Sequence, residues 1–405
     1  MAPVAVSTPA PADDIADLKA KLNAVDLNKV NLQLPPDNTL RRYQKAGIDL
    51  SNGYPYYPPK PDLVQDVTKI REDVRGGKAY VDPGTRADKE KKALFGAAKE
   101  VNDLTTHIGT EIVGLQLKDL TDQQRDELAL LVAERHIVFF RDQDLSPQKQ
   151  KEIGVYLGDG QIEIHPQAAQ VPGVGGGVTL IWEAGRKDAQ VKGRSFRIPY
   201  GGNSFGWHTD LVHEPYPPGY THLHQDTVPK VGGDTLWASG YAAYDKLSPA
   251  FKKLIDGLNG LYRSAHSYKD ESNPDAPPKP VIRAHPLVRT HPVTGWKSLW
   301  VNRSMTVGIE GFDQTEADLL LNYLHNIYER STDIQLRWHW TPGTSAIWDN
   351  RSTIHTVSYD YSGERHGTRV SSLAEKPYYD PKSKSKAEDL QLQGWIDAPD
   401  FGGRY

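Results

Sequence analysis

The sequence of 405 residues contains no cysteine. This absence excludes disulfides, thiolate nucleophiles and any zinc or iron–sulfur site with cysteine ligands. The sequence also lacks an apolar run of about 18 residues, the length that a membrane-spanning helix needs. Its first residues lack the basic and apolar regions of a secretory signal. We therefore expect a cytoplasmic protein that uses histidine and carboxylate chemistry.

Positive charge is not in excess either. The 48 Lys and Arg residues are outnumbered by 52 Asp and Glu residues, which gives a net charge of −4 and a pI near 6.4. A nucleic-acid partner would require a basic surface, and none is indicated. We expect a small-molecule partner, with neither nucleic acid nor membrane, and self-association into a homo-oligomer stays open.

Composition divides the chain into three parts. Residues 1–100 contain Pro-rich and charge-dense stretches such as "PYYPPKPD" and "TRADKEKKALFGAAKE". They predict an N-terminal extension with short helices near 14–25 and 85–100, which wraps over the rest of the chain and does not fold alone. Residues 101–385 form the predicted main domain, and residues 386–405 a tail on its surface.

The main domain mixes helix signals with many short strands. Thr121 and Gln124 form a capping box, and the pairs Ser146–Pro147 and Ser248–Pro249 each begin a further helix. Another helix starts at Thr315, with an apolar face formed by Leu320, Tyr323, Leu324, Ile327 and Tyr328. Between them, runs such as "YTHLHQDT", "GDTLWAS" and "SAIWDN" alternate with Pro and Gly. This pattern predicts a mainly β fold with flanking helices: a double-stranded β-helix (jelly roll) whose helices pack on one outer face.

The stretch "GWHTDLVHE" contains two candidate metal ligands, His208 and Asp210. In an extended strand, residues two apart point to the same face, so this pair could bind one ion from one side. A third ligand should come from a distant segment, and His355 in "IWDNRSTIHTVSYDY" is the best candidate. Two imidazoles and one carboxylate form the facial triad of non-haem Fe(II) oxygenases, which leaves positions open for a 2-oxo acid and dioxygen.

The cosubstrate 2-oxoglutarate carries a second carboxylate, for which a guanidinium and a hydroxyl are suitable partners. Arg369 begins the strand-like run "RVSSL", and Thr235 in "GGDTLW" could supply the hydroxyl. Taken alone, Arg369 could equally form a surface ion pair, and Thr235 could be an ordinary strand residue.

The sequence resembles the taurine dioxygenase-like (TauD/TfdA) family of Fe(II)- and 2-oxoglutarate-dependent oxygenases over about residues 105–378. The resemblance rests on an ordered set of motifs: "IGTEIVGLQLKDLTDQQRDEL", "HIVFFRDQDLSPQKQ", "WHTDLVHEPYPPGYTHLH", "VGGDTLWASGYAAYDKLS", "HPVTGWKSLWVN", "AIWDNRSTIH" and "RVSSLAEKP". It implies iron ligation by His208, Asp210 and His355, and 2-oxoglutarate binding by Thr235 and Arg369.

Two positions and one interval depart from the taurine-oxidising pattern. A second arginine is expected four residues after the first, where Leu373 stands, and a tyrosine is expected at Ala168, although the pocket histidine is present as His165. The interval from His355 to Arg369 is also three residues longer than in those relatives, which makes Arg365 a rival for the 2-oxoglutarate clamp. These departures argue against a taurine-type sulfonate pocket, although Arg365 or His366 could still supply a positive charge to an anionic substrate.

Other residues near the motif are candidates for substrate contact or ligation. Asn203, Phe205 and Trp207 precede the first ligand and could line the substrate side, or the aromatic residues could be core packing. His213 is not expected to bind the metal, because it is five residues from His208 and so has the wrong parity for the same strand face. His224 is not expected to bind it either, because it alternates with His222, a pattern that favours strand packing or support of the ligands.

The sequence therefore predicts a dioxygenase that uses Fe(II), 2-oxoglutarate and O₂ to oxidise an unactivated C–H bond of a small organic substrate, with release of succinate and CO₂. Chlorination is disfavoured because the resemblance implies that halogenating relatives lack the carboxylate found here at Asp210. The alternatives are a sulfonate dioxygenase proper, oxidative tailoring (desaturation or cyclisation) of an amino acid or biosynthetic intermediate, and a non-catalytic jelly-roll module stabilised by a metal.

Overall fold

The fold was analysed in a computed structural model, which describes residues 15–17, 19–20, 33–51, 53–57, 75–164, 168–182, 206–268, 273, 275–358 and 360–392. The α-helices are α1 Asp37–Lys45, α2 Lys92–Ala97, α3 Asp122–Arg135, α4 Pro147–Leu157, α5 Gly240–Asp245, α6 Pro249–Ile255, α7 Gln314–Arg330 and α8 Lys386–Asp389. Short 3-10 helices span Pro83–Arg86, Leu117–Asp119 and Thr332–Ile334. The strands are β1 Glu100–Asp103, β2 Thr110–Val113, β3 Ile137–Phe140, β4 Thr179–Trp182, β5 Pro218–Thr227, β6 Thr235–Ser239, β7 Asn259–Tyr268, β8 Lys279–Pro286, β9 Val288–Thr290, β10 Lys297–Leu299, β11 Thr306–Ile309, β12 Gln335–Trp338, β13 Thr344–Asp349, β14 Thr353–Val357 and β15 His366–Leu373.

Two sheets face each other across an aromatic interior. Within the described residues, the major sheet has the order β1-β2-β3-β13-β5-β15-β4, and the minor sheet the order β12-β6-β14. Only β2 and β3 pair in parallel among the pairings of the major sheet described here. The space between the sheets is filled by Phe139, Trp237, Trp338, Trp340 and Trp348. Smaller sheets, β11-β7-β8 and β9-β10, extend the structure beside this core.

Helices flank both sheets, so the expectation that they pack on one outer face was wrong. Helices α3 and α4 cover the outer face of the major sheet, where Leu131 and Ile153 pack with Ile347. Helix α7 belongs to a different core, in which Leu324 and Tyr328 pack with β6 and β14 of the minor sheet. The two-sheet architecture has two apolar outer faces, and each must be buried.

The helix starts follow the predicted capping residues. Thr121 caps α3 with the reciprocal Gln124 contact of a capping box, and Ser146 and Ser248 cap α4 and α6 ahead of proline. Helix α7 begins at Gln314 under an Asp313 cap, one residue before the predicted start. Its predicted apolar face was partly wrong, because Tyr323 is 45% exposed whereas Leu321 is buried.

The described parts of the first hundred residues pack on the main domain. Helix α1 lies against the outer face of β5 and β15, where Arg42 donates to Asp226 at 3.2 Å and to Thr368 at 2.8 Å. Farther along, Asp82 accepts a hydrogen bond from the buried guanidinium of Arg351 at 2.6 Å. The described part of this segment is therefore attached to the domain by buried hydrogen bonds and ion pairs. The domain boundaries at residues 100 and 385 stay predictions. In the part of the chain that the structure describes, no helix is both long and apolar enough to cross a membrane.

Candidate metal centre

The structure brings His208 and His355 side by side across the open edge of the minor sheet. The backbone N–H of His208 donates to the carbonyl of His355 at 2.9 Å, and the reverse hydrogen bond measures 2.8 Å. Their ring centroids are 4.3 Å apart. The predicted strand around residue 208 is reduced to this single bridge, because a turn begins at Asp210. The turn still directs the carboxylate towards both rings.

Asp210 completes a cluster of three donor atoms. Its Oδ1 lies 3.9 Å from Nε2 of His208 and 4.0 Å from Nε2 of His355. All three ligand atoms lie within 4.8 Å of one another. Atoms about 4 Å apart can share an ion about 2.3 Å from each, close to the bond lengths of nitrogen and oxygen ligands. Two imidazoles and one carboxylate on a single side are the donor set of non-haem Fe(II) sites, so these residues fit the metal.

The protonation states of the cluster also suit metal binding. Burial alone would raise the pKa of the Asp210 carboxyl, but the Arg369 guanidinium and both imidazoles lower this pKa to about 2. Burial lowers the pKa of His355 to about 3, and neighbouring His208 acts in the same direction. A metal requires an ionised carboxylate and a neutral imidazole, and both are present at neutral pH.

Three further side chains hold Asp210 in place. Arg369 Nη1 donates to Oδ1 of Asp210 at 3.0 Å. The hydroxyl of Thr221 donates to Oδ2 at 3.3 Å, and the amide of Asn350 donates to that hydroxyl at 2.7 Å. Thr221 and Asn350 are fully buried. Sequence reasoning missed both, because a threonine in a strand carries no signal of its own; Asn350 could have been noticed in the "WDNR" turn.

The two candidate clamp arginines have different partners. Arg365 is buried, donates through Nε to the carbonyl of Gly233 at 3.1 Å and reaches the Thr235 hydroxyl at 3.4 Å. Thr235 also accepts a hydrogen bond from the Trp340 indole at 2.9 Å. Arg369 points to Asp210, as described above. Of the two arginines, the structure thus brings Arg365 together with Thr235.

The remaining predicted residues fall into two groups. His165, Asn203 and Phe205 lie outside the described residues. Trp207 is half-buried and packs against the apolar core beneath α7, which agrees with the packing alternative.

The two histidines that were not expected to bind metal lie outside the cluster. His213 contacts the Tyr268 hydroxyl at 3.2 Å, and His224 shares the Ser345 hydroxyl with its neighbour His222. Burial is the main cause that lowers the pKa of His224 well below its ordinary value, so this ring is neutral. These contacts account for both side chains without a metal.

Comparison with known proteins decides the family. The model of the family described as "Taurine catabolism dioxygenase TauD, TfdA family" matches residues 100–371, about two-thirds of the chain. The chain belongs to the TauD/TfdA family. The resemblance indicated by the ordered motifs is confirmed.

Individual TauD/TfdA proteins agree with this assignment. The chain is 37% identical over 316 residues to an α-ketoglutarate-dependent sulfonate dioxygenase of Saccharomyces cerevisiae, covering 75% of this chain and 74% of that protein. It is 36% identical over 337 residues to the α-ketoglutarate-dependent dioxygenase cnsP of Penicillium expansum, covering 80% of this chain and 88% of that protein. A solved taurine dioxygenase from Burkholderia xenovorans superposes with a TM-score of 0.58 at 28% identity, covering 70% of this chain and 92% of that protein. The predicted jelly-roll class is thereby confirmed.

Membership in the TauD/TfdA family, together with the three-residue cluster, establishes the reaction class. The protein is an Fe(II)- and 2-oxoglutarate-dependent dioxygenase that acts on a small molecule. The alternative of a non-catalytic module stabilised by a metal is therefore set aside.

Proposed function

We propose that this dioxygenase oxidises a small organic sulfonate. In this assignment His208, Asp210 and His355 bind iron, Arg365 and Thr235 bind the distal carboxylate of 2-oxoglutarate, and Arg369 binds the sulfonate. The observation that carries the proposal is the placement of two guanidiniums four residues apart, Arg365 directly before β15 and beside Thr235, and Arg369 within β15 and beside Asp210.

The choice of Arg365 for 2-oxoglutarate rests on contacts and on spacing. A distal carboxylate needs a guanidinium and a hydroxyl within reach of the same oxygens. Thr235 Oγ1 is 3.4 Å from Arg365 Nη2. Arg365 also follows His355 by 10 residues (365 − 355), one fewer than the interval of 11 in taurine-oxidising relatives. Arg369 follows it by 14 residues (369 − 355), three more than that interval.

This choice removes the main objection to a sulfonate. If Arg365 is the clamp, the arginine expected four residues later is Arg369, and Leu373 no longer occupies that position. The side chain of Arg369 is 26% exposed, so it is accessible beside the metal ligands. A guanidinium can form two parallel charge-assisted hydrogen bonds to an oxyanion, which fixes the position of the substrate carbon. The name of the yeast relative points to the same substrate class.

Each residue has a defined part in catalysis. Bound iron would supply the chemistry that couples O₂ and 2-oxoglutarate to hydroxylation of a C–H bond, with release of succinate and CO₂. Arg365 and Thr235 would orient the keto acid, and Arg369 would hold the anion so that the carbon next to sulfur faces the metal. Hydroxylation of that carbon breaks the C–S bond, because the hydroxylated carbon becomes a carbonyl as sulfite leaves.

Succinate release tests the proposal on a panel of sulfonates, matched carboxylates and amino acids. At saturating Fe(II), Arg369→Leu should raise KM for the sulfonate by about 100-fold, the cost of losing a charge-assisted contact of about 3 kcal/mol, with little change in KM for 2-oxoglutarate. Arg365→Leu should raise KM for 2-oxoglutarate, with little change in KM for the sulfonate. Arg303→Leu, which removes an exposed arginine paired with Glu329, is the matched control.

Two results would contradict the assignment. If Arg369→Leu raises KM for 2-oxoglutarate and leaves the sulfonate unaffected, the two arginines have been exchanged. If amino acids or other tailoring substrates stimulate succinate release and no sulfonate does, the substrate class is wrong and the tailoring alternative replaces it. The cytoplasmic location and the homo-oligomer stay predictions from the sequence.

A further inference from the structure

A cavity of about 460 Å³ lies on the outer face of the major sheet, away from the metal centre. Its walls are α1, the segment 143–149 that leads into α4, and the turn at 342–343, while His224 and Asp226 of β5 line it from the sheet. Residues of β5 on the inner face, such as Thr221, contact the metal ligands. The cavity and the active site therefore lie on opposite faces of one strand.

The cavity is strongly basic in a chain that is acidic overall. Its cationic residues are Arg41, Arg42, Lys45, Lys118 and Lys149, and its carboxylates are Asp144 and Asp226. The lining residues carry three more positive than negative charges, and two remain in excess once Glu152, which pairs with Lys149 at 2.6 Å, is counted, whereas the whole chain has a net charge of −4. A concave surface lined by one sign of charge concentrates ions of the opposite sign.

The internal ion pairs leave cationic capacity unused. Lys45 and Lys118 share one carboxylate, at 2.7 Å and 2.6 Å from the two oxygens of Asp144. Arg41 also lines the cavity and is half-buried: its Nη1 donates to Asn38 at 3.0 Å, while its buried Nε has no hydrogen-bond partner among the described residues and would reach an anion only after the side chain shifts. The N-terminus of the 11-residue α4, capped by Ser146, adds its positive dipole end to the same wall.

We propose that this cavity binds a small, multiply charged oxyanion, of the kind presented by an organic phosphate or a tricarboxylate. Lys45 and Lys118 would bind it in place of part of their contact with Asp144, and Arg41 would supply a further donor. Charge-assisted hydrogen bonds from several cations favour an anion with more than one negative charge. This site is spatially separate from the sulfonate and 2-oxoglutarate positions proposed above.

The cavity is also connected to the cosubstrate arginine. Arg42 donates to Asp226 at 3.2 Å, and Asp226 contacts the ring of His366 at 2.9 Å. His366 directly follows Arg365 in the chain. An anion that draws Arg42 towards the cavity would weaken the hydrogen bond from Arg42 to Asp226, and with it the contact that positions His366. Occupancy of the cavity should therefore change KM for 2-oxoglutarate more than KM for the substrate.

Titration calorimetry of the full-length, metal-depleted chain tests the site, with inorganic pyrophosphate and tricarballylate as probes. We expect one of them to bind at a single site, and which one binds distinguishes phosphate from tricarboxylate recognition. The double variant Lys45→Gln with Lys118→Gln should weaken binding by about tenfold, since each exposed ion contact contributes up to ~1 kcal/mol. Asp144→Asn should tighten binding several-fold, because it removes the carboxylate that competes for both lysines.

Two control variants separate this site from others. Lys382→Gln removes one exposed positive charge elsewhere and should leave binding unchanged. Arg369→Leu should also leave it unchanged, because Arg369 lies on the inner face of the sheet. The proposal is overturned if neither probe binds, if the double lysine variant and Asp144→Asn both leave binding unaltered, or if Arg369→Leu abolishes it. The last result would place the anion in the active site.

Discussion

Replacing Thr221 with valine should weaken metal binding without enlarging or emptying the site. Valine has the shape of threonine but lacks the hydroxyl that donates to Asp210 Oδ2 at 3.3 Å. Partners that orient ligating groups typically contribute 10–100-fold to metal affinity. The hydrogen bond is long, and Arg369 still holds the other oxygen, so we expect about a tenfold loss, the low end of that range.

Anaerobic calorimetric titration with Fe(II) measures this loss directly. The variant also removes the acceptor of the Asn350 amide, so a decrease of about 1–3 kcal/mol in the free energy of unfolding should accompany it. Thr353→Val is the matched control, because its buried hydroxyl donates to the Asp349 carbonyl at 2.6 Å and does not contact Asp210. An Fe(II) affinity for Thr221→Val within twofold of the parent would refute the positioning role.

Three further predictions concern stability. Arg351→Leu should cost about 3–5 kcal/mol in urea unfolding, because it leaves the buried carboxylates of Asp82 and Asp349 without their cation; a cost below 1 kcal/mol would contradict this. Burial alone would raise the pKa of Asp226, but His366 and Arg42 hold this pKa below its ordinary value. The contribution of Asp226 to the free energy of unfolding is therefore complete above about pH 4 and is lost as the pH falls. Asp226→Asn should flatten the acid limb of the stability curve, and an unchanged limb would argue against the ion pair. Thr121→Ala should cost about 1 kcal/mol through loss of the α3 cap, whereas Thr85→Ala, outside any α-helix cap, controls for loss of a threonine hydroxyl.

The sequence allowed accurate prediction of features that depend on neighbouring residues. The starts of α3, α4 and α6 are encoded by a capping side chain and the two or three residues that follow it. The buried face of α7 was harder to predict, because apolar residues such as Leu319 and Leu321 occur on several sides of this helix. Which side is buried depends on the minor sheet, and that contact joins segments far apart in the chain.

The site shows the same division. The H-x-D spacing pointed to His208 and Asp210, His355 was the best candidate among 14 histidines, and the family resemblance implied all three as ligands. The structure brings their donor atoms within 4.8 Å of one another. For the clamp, the sequence favoured Arg369, because "RVSSL" begins a β-like run, and left Arg365 as the rival. Which arginine lies near Thr235 depends on the packing of the minor sheet, in which β6 pairs with β14. In the folded chain the arginine within 3.4 Å of the Thr235 hydroxyl is Arg365.

The side chains of β15 alternate between the two faces of the major sheet, and this limits which substitutions and insertions such an enzyme can accept. Arg369 and Ser371 face the reaction chamber, whereas Thr368 and Ser372 bond to α4 on the other side. Exchanges at odd-numbered positions can therefore alter which molecule is accepted while the attachment of the strand to its helix persists. A single residue inserted in the strand next to Arg369 would instead turn Arg369 outwards or carry an anchoring residue into the chamber, so a change in length is better accommodated outside the strand, as in the loop before residue 365.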